Sequence, residues 1–203
     1  ARHFMLDRAA GRGTSDGPGT IEMGATGSKP LVVSWSKRMD LVLLPGTGDA
    51  EGSFRRAEFT GDVDARSPDF QLQAGKLAVD AEPVGRKDVP RRIVATGDVR
   101  ARALGEARGH FGADTVEVAL TPNAAGDAQP RTLVATGNVV AGDDAQTLWA
   151  SLLRATFVER AKPAAGAAGD DALRSDLGAV AAEGPVELRM ADGGRVFATR
   201  LEA

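Results

Sequence analysis

Side chains equipped for chemistry are sparse in this 203-residue chain, and they do not converge. His3 and His110 are its only histidines. A general acid or base needs a partner within hydrogen-bond reach, and neither His stands in such a pattern, so both read as surface residues. Asp143-Asp144 and Asp170-Asp171 could offer carboxylates to a cation, but adjacent acids beside Gly and Ala read as solvated turn formers. Gly11-Arg12-Gly13-Thr14-Ser15-Asp16-Gly17 has the glycine density of a phosphate loop without its dinucleotide spacing, and no helix pattern follows it. With no cysteine in the chain, thiolate nucleophiles, disulfides and Cys-based zinc sites are excluded together. The expectation is a non-enzyme with no metal site and no cofactor.

What the chain has instead of a site is a repeat. Ala95-Thr96-Gly97-Asp98-Val99 recurs as Ala135-Thr136-Gly137-Asn138-Val139, and Gly61 and Gly184 stand in the same register. Downstream of each glycine the chain repeats apolar, any, Ala, two residues, apolar, any, apolar. Leu72/Ala74/Leu77/Val79, Phe111/Ala113/Val116/Val118, Leu148/Ala150/Leu153/Ala155 and Val196/Ala198/Leu201/Ala203 fill it. Strict alternation before each glycine predicts a half-buried strand. A step of two followed by a step of three throws apolar residues to opposite faces of a straight strand. The spacing therefore predicts a bulge or corner between the alanine and the next apolar residue, and each unit is a bent antiparallel hairpin.

The units fall at about 17–44, 55–79, 92–120, 132–157 and 179–203, the first of them degenerate: Gly17-Pro18-Gly19 echoes Gly184-Pro185-Val186, with Leu31–Trp35 and Met39–Leu41 as its returning strand. Turn chemistry marks the hairpin tips at Ser67-Pro68-Asp69, 104–109, Gly142-Asp143-Asp144 and Ala191-Asp192-Gly193-Gly194. Residues 83–90 and 122–130, with their prolines, read as connections. Residues 1–16 read as the remnant of a preceding strand and a loop. The Ala/Gly/Asp-rich stretch 158–178 reads as a mobile insertion, with a short helix at 170–177 as the alternative. The organisation expected is one all-β domain over 17–203. The chain opens on Ala1 and closes on the last residue of a repeat, which suggests a processed or excised piece of something longer.

Composition narrows the partners. Lys and Arg number 25 against 28 Asp and Glu, a net charge of −3, with no basic block to neutralise phosphates, so nucleic acid is not expected. No run reaches the roughly 18 apolar residues of a membrane span. Apolar residues make up 42% but aromatics only 4%, with no Tyr, so the interior is built from Val, Leu, Ala and a few Phe. Small side chains make a thin core or a groove.

The glycine strand with its returning apolar pattern resembles the OstA-like family of lipopolysaccharide-transport proteins: the periplasmic bridge components and the N-terminal domain of the outer-membrane assembly protein. The likeness runs from about Arg55 to Ala203 and loosely from Gly17. It implies a twisted, V-shaped antiparallel β-jellyroll that binds an acylated lipid such as lipopolysaccharide along its interior. It also implies a periplasmic location, a part in outer-membrane biogenesis, and end strands that stack head to tail on like domains. The long 158–178 insertion and the many interior alanines depart from the family pattern. The candidate lipid contacts are the inward positions Phe59, Val63, Leu72, Leu77, Ile93, Val99, Phe111, Val116, Leu133, Val139, Leu148, Leu153, Val186 and Val196. The same residues could equally be the core of a structural or adhesive β-repeat packed solid. Arg195–Leu201 forms a good strand without proline, and is expected at an exposed edge that pairs with another unit.

Overall fold

The computed structural model describes residues 3–7, 10–23, 31–44, 54–68, 70–84, 87–104, 109–123, 126, 128–158 and 176–203. They form thirteen strands and no helix. β1 (His3–Asp7), β2 (Arg12–Asp16), β3 (Gly19–Met23), β4 (Leu31–Trp35) and β5 (Arg38–Leu43) are short. β6 (Phe54–Arg66), β7 (Phe70–Val84), β8 (Lys87–Ala103), β9 (His110–Pro122), β10 (Ala128–Gly142), β11 (Gln146–Val158) and β12 (Asp176–Met190) are long, and β13 (Arg195–Glu202) closes the chain. All join one antiparallel sheet that does not close on itself. Its order is β1-β2-β5-β6 and onward in sequence to β13, with β3 on β4 and β4 on β6.

Every long glycine strand breaks register at the same place. Thr60 and Val63 of β6 flank Gly61-Asp62, which together face the single residue Gly75; Gly97-Asp98 faces Asp114 in the same way, and Gly137-Asn138 faces Ser151. The extra residue therefore sits on the glycine strand. Sequence spacing put the bulge on the returning strand, whose step of three is the mark left by its neighbour's extra residue. Both residues of each bulge are left-handed, with φ of 86° and 41° at 61–62, 82° and 50° at 97–98, and 73° and 48° at 137–138. That explains the repeated Gly-[Asp/Asn]: glycine adopts positive φ freely, and Asp and Asn tolerate it best among the rest. The fourth copy has Pro185 after Gly184, and only the glycine is left-handed there (φ 93°), because the proline ring fixes φ negative.

Bulges bend strands, and here they align across the sheet into one corner that divides it into two arms. Ser36-Lys37, between β4 and β5, extends the line: the Ser36 N–H donates to the Gly61 carbonyl (2.6 Å) and the Ser36 hydroxyl to Asp62 (2.8 Å). Gly17-Pro18, between β2 and β3, extends it further, with Gly17 N–H on the Lys37 carbonyl. The degenerate first unit thus has the same architecture, each of its strands interrupted at the corner. A flat single layer would leave both faces wet, yet Phe59, Val33 and Ala135 are fully buried. Among the described residues only the opposite arm is available to cover them. Trp35 of one arm meets Phe59 of the other at 5.3 Å between ring centroids.

Several stretches differ from the sequence reading. Residues 12–16 are strand β2, paired to both β1 and β5, not a loop. The stretch 83–90 is largely strand: Pro83 pairs with Asp88, and Val89 is 2% exposed. Its prolines are tolerated at strand ends, where β7 passes into β8. Pro130 likewise lies inside β10, at a register shift before Thr132. Asp176 and Leu177 belong to β12, pairing with Val158 and Phe157. Gly178 is also in β12, and residues 159–175 of the predicted insertion, including Asp170-Asp171, lie outside the described residues.

Candidate apolar groove

The faces of the sheet are chemically opposite. Alternation sends Arg56, Glu58, Asp80, Arg92 and Glu117 outward, where they form a cross-strand ladder. Arg56 reaches Asp80 at 2.8 Å, Lys76 reaches Glu58 at 2.6 Å, and Arg92 holds Glu117 with two bonds of 2.7 and 2.8 Å. The hydrogen bond from Lys76 lowers the Glu58 pKa, and that from Arg92 lowers Glu117. Asp64 is also held low despite partial burial, by hydrogen bonds from Arg66 and Gln71. These charges stay on one side of the sheet.

The inner face carries the apolar set, and its burial is graded. Phe59, Val63, Leu77, Val99, Val116, Val139, Leu153 and Val186 flank the corner and are at most 6% exposed. Farther out along the arms, Leu72, Ile93, Phe111, Leu133, Leu148, Val118 and Val180 are only partly buried against that floor, whereas Val33 and Val79, level with Leu72 and Ile93, are buried. Thirteen of the fourteen residues singled out from the sequence therefore lie together. The exception is Val196, which is 40% exposed: it pairs with Leu188 from the edge strand β13, beyond which no further strand lies among the described residues.

Sequence reading placed Val33, Trp35 and Met39 on the returning strand of the first unit but not among the inward positions, and all three are buried. Alternation through Leu31-Val32-Val33-Ser34-Trp35 was the available signal, obscured because the unit's match to the repeat is loose. Two open depressions, of about 420 and 460 Å³, lie away from the floor: one is lined by Arg55, Arg56, Asp80 and Arg91, the other by Arg154, Val180 and Glu202 among others.

The groups considered for chemistry stay apart. His110 is exposed at the start of β9, and β1 holds His3 at the far edge of the sheet. Asp143 accepts the N–H groups of Ala145 and Gln146 at 2.8 and 2.9 Å, which lowers its pKa and makes it a turn former. Among the described residues no three acidic or histidine side chains cluster as metal ligands, and no helix is long and apolar enough to cross a membrane. No protein-family model matches the chain, and no curated protein is significantly similar to it.

Proposed function

We propose that the chain is a lipid-carrying module: a twisted, V-shaped β-jellyroll of the OstA-like kind that holds the acyl chains of lipopolysaccharide or a similar lipid between its arms, acting in the periplasm in outer-membrane biogenesis. The observation that carries this reading is the graded inner face. Partly exposed apolar side chains line both arms of an open sheet, while the ion pairs keep to the other face. Apolar surface that stays half wet on the concave side of a sheet is a surface to which acyl chains gain free energy by binding, roughly 25 cal/mol per Å² covered. Among the described residues both end strands are unpaired on one side, so like domains stacking head to tail would extend the trough.

A second reading, a structural or adhesive repeat with a solid core, is favoured by the floor itself, where Phe59, Val63, Val99 and Val139 are at most 1% exposed. Delipidated protein titrated with a fluorescent fatty-acyl probe separates the two. The transport reading expects saturable uptake at micromolar protein, weakened by Phe111→Asp or Leu148→Asp. No uptake would leave the solid-core reading in its place.

A further inference from the structure

The two inner positions that flank the corner change size along the sheet. In β4, β5 and β6 they hold Trp35, Met39, Phe59 and Val63. From β7 to β13 each strand has one alanine there and one Val or Leu, as in Ala95 with Val99 on β8 and Ala182 with Val186 on β12. Burial one step farther from the corner divides at the same place. Ala65 of β6, Phe111 of β9 and Leu148 of β11 stand at one level of the register. The small Ala65 is 3% exposed, whereas the larger Phe111 and Leu148 are only partly buried. The first unit thus fills space between the arms that the later units leave uncovered.

Trp35 is the residue that fills it. Its indole N–H donates to the Gly17 carbonyl at 3.1 Å, satisfying the one polar atom of the side chain. Its ring lies over Gly19, its partner on β3, where a Cβ would overlap it. Across the corner it meets Phe59, with ring centroids 5.3 Å apart and planes tilted by 45°. An indole tied to backbone on one side and to the opposite arm on the other is fixed in place.

We propose that Trp35, with Phe59 and Met39, is the closed end of the trough, and that an acyl chain lies along the corner from the β13 side with its methyl terminus against the indole. This rests on the lipid-carrying reading and makes Trp35 the residue that limits the length of chain accepted. The orientation follows from solvation: a polar head seated among Trp35, Phe59 and Met39 would give up its hydration without a partner, whereas at the β13 side it stays wet. From β8 to β13 the sheet spans five strand spacings, about 24 Å. In a stack of like domains, the neighbour's Trp35 ends the extension that stacking provides.

The chain has two tryptophans, and the other, Trp149, lies on the outer face with the Arg189 guanidinium 5.0 Å from its ring. Trp149→Phe therefore leaves Trp35 as the only indole with the closed end intact. On this delipidated variant, a fatty acid carrying a nitroxide near its methyl end should quench Trp35 emission as it binds. The same acid labelled beside its carboxylate should quench it weakly. In wild type, unlabelled straight-chain fatty acids displacing the fluorescent acyl probe should bind about fourfold more tightly per added methylene, until the extended chain reaches about 24 Å, and no more tightly beyond. Trp35→Val should carry the rise on to longer chains, with a urea midpoint to show that the variant is folded. Equal quenching by the two labels, or stronger quenching by the carboxylate label, would overturn the orientation. A rise without a break, or a break that Trp35→Val leaves in place, would overturn the closed end. If Trp35→Val does not fold, the quenching pattern and the wild-type break decide. No uptake of probe or fatty acid would remove the lipid-carrying reading and this proposal together, whereas uptake with any of the contrary results removes this proposal alone.

Discussion

Gly75 faces Gly97 across the corner between β7 and β8, and only one of the two is there for its backbone. Gly97 has φ of 82°, whereas Gly75 has an ordinary φ. A Cβ added to Gly75 would meet nothing closer than the carbonyl oxygens of Thr96 and Gly97 at 3.4 Å. The positions equivalent to Gly75 in the next two units are Asp114 and Ser151, which have side chains.

The two glycines therefore predict opposite outcomes. Gly97→Ala should cost about 1–2 kcal/mol, the penalty for forcing an L-residue into the left-handed region. Gly75→Ser should change stability by less than about 0.5 kcal/mol. Urea denaturation of the two variants checks this, and equal losses would mean that space, not φ, governs the corner.

The residue after the glycine gives a separate test. Asp98 is left-handed, and its carboxylate takes a hydrogen bond from Arg100 at 2.8 Å on the exposed face. Asp98→Gly should be neutral to within a few tenths of a kcal/mol, since the exposed ion pair contributes little and glycine relieves the φ. Asp98→Val should cost more than about 1 kcal/mol, because a β-branched residue is a poor occupant of that region. Thermal midpoints of the pair would show the ordering.

This corner also marks how far the sequence was legible. Alternation either side of Gly61, Gly97 and Gly137 gave the strands and faces, because a period of two survives the loss of any one residue. The position of the bulge was not recoverable from the same pattern. A step of three in Ala74/Leu77 fits an irregularity on either of two paired strands, and the register together with the φ values at Gly61 and Asp62 assigns it. The first unit shows a second limit: Trp35 and Met39 are buried through contacts with Phe59 and its neighbours, tertiary partners that local spacing does not encode. Val196 lies on the predicted face and is exposed, because alternation reports a face and says nothing of how many strands lie beyond it.

Acid should loosen the outer ladder. Glu58 and Glu117 have folded-state pKa values below the ordinary 4.5, through hydrogen bonds from Lys76 and Arg92. A depressed carboxylate pKa contributes stability that is fully present above the unfolded value and is lost as pH falls through the folded one. Wild type should thus lose stability below about pH 4.5 more steeply than Glu58→Gln with Glu117→Gln. Both side chains are partly exposed, so the difference at pH 7 should stay within about 1 kcal/mol per pair. Denaturant midpoints against pH, at low and high salt, give the comparison. Parallel curves for the two proteins would show that the ladder contributes nothing.

The floor and walls of the groove should separate under mutation. Val139 is 1% exposed at the corner, and shortening it to Ala leaves a cavity where the surrounding strands are fixed by two ladders. The expected loss is about 1–3 kcal/mol of stability, with acyl-probe affinity of the remaining folded protein nearly unchanged. Leu148 lies on the same face, nearer the tip of its arm and only partly buried. Its carboxylate replacement, Leu148→Asp, can stay hydrated in the lipid-free protein but must be desolvated beneath an acyl chain, so it should lower probe affinity at least about tenfold while costing less stability than a buried charge would. Urea unfolding and fluorescence titration on the same two samples give the four numbers. If Leu148→Asp unfolds the chain and Val139→Ala alone alters uptake, the walls are core and the inner face is no conduit.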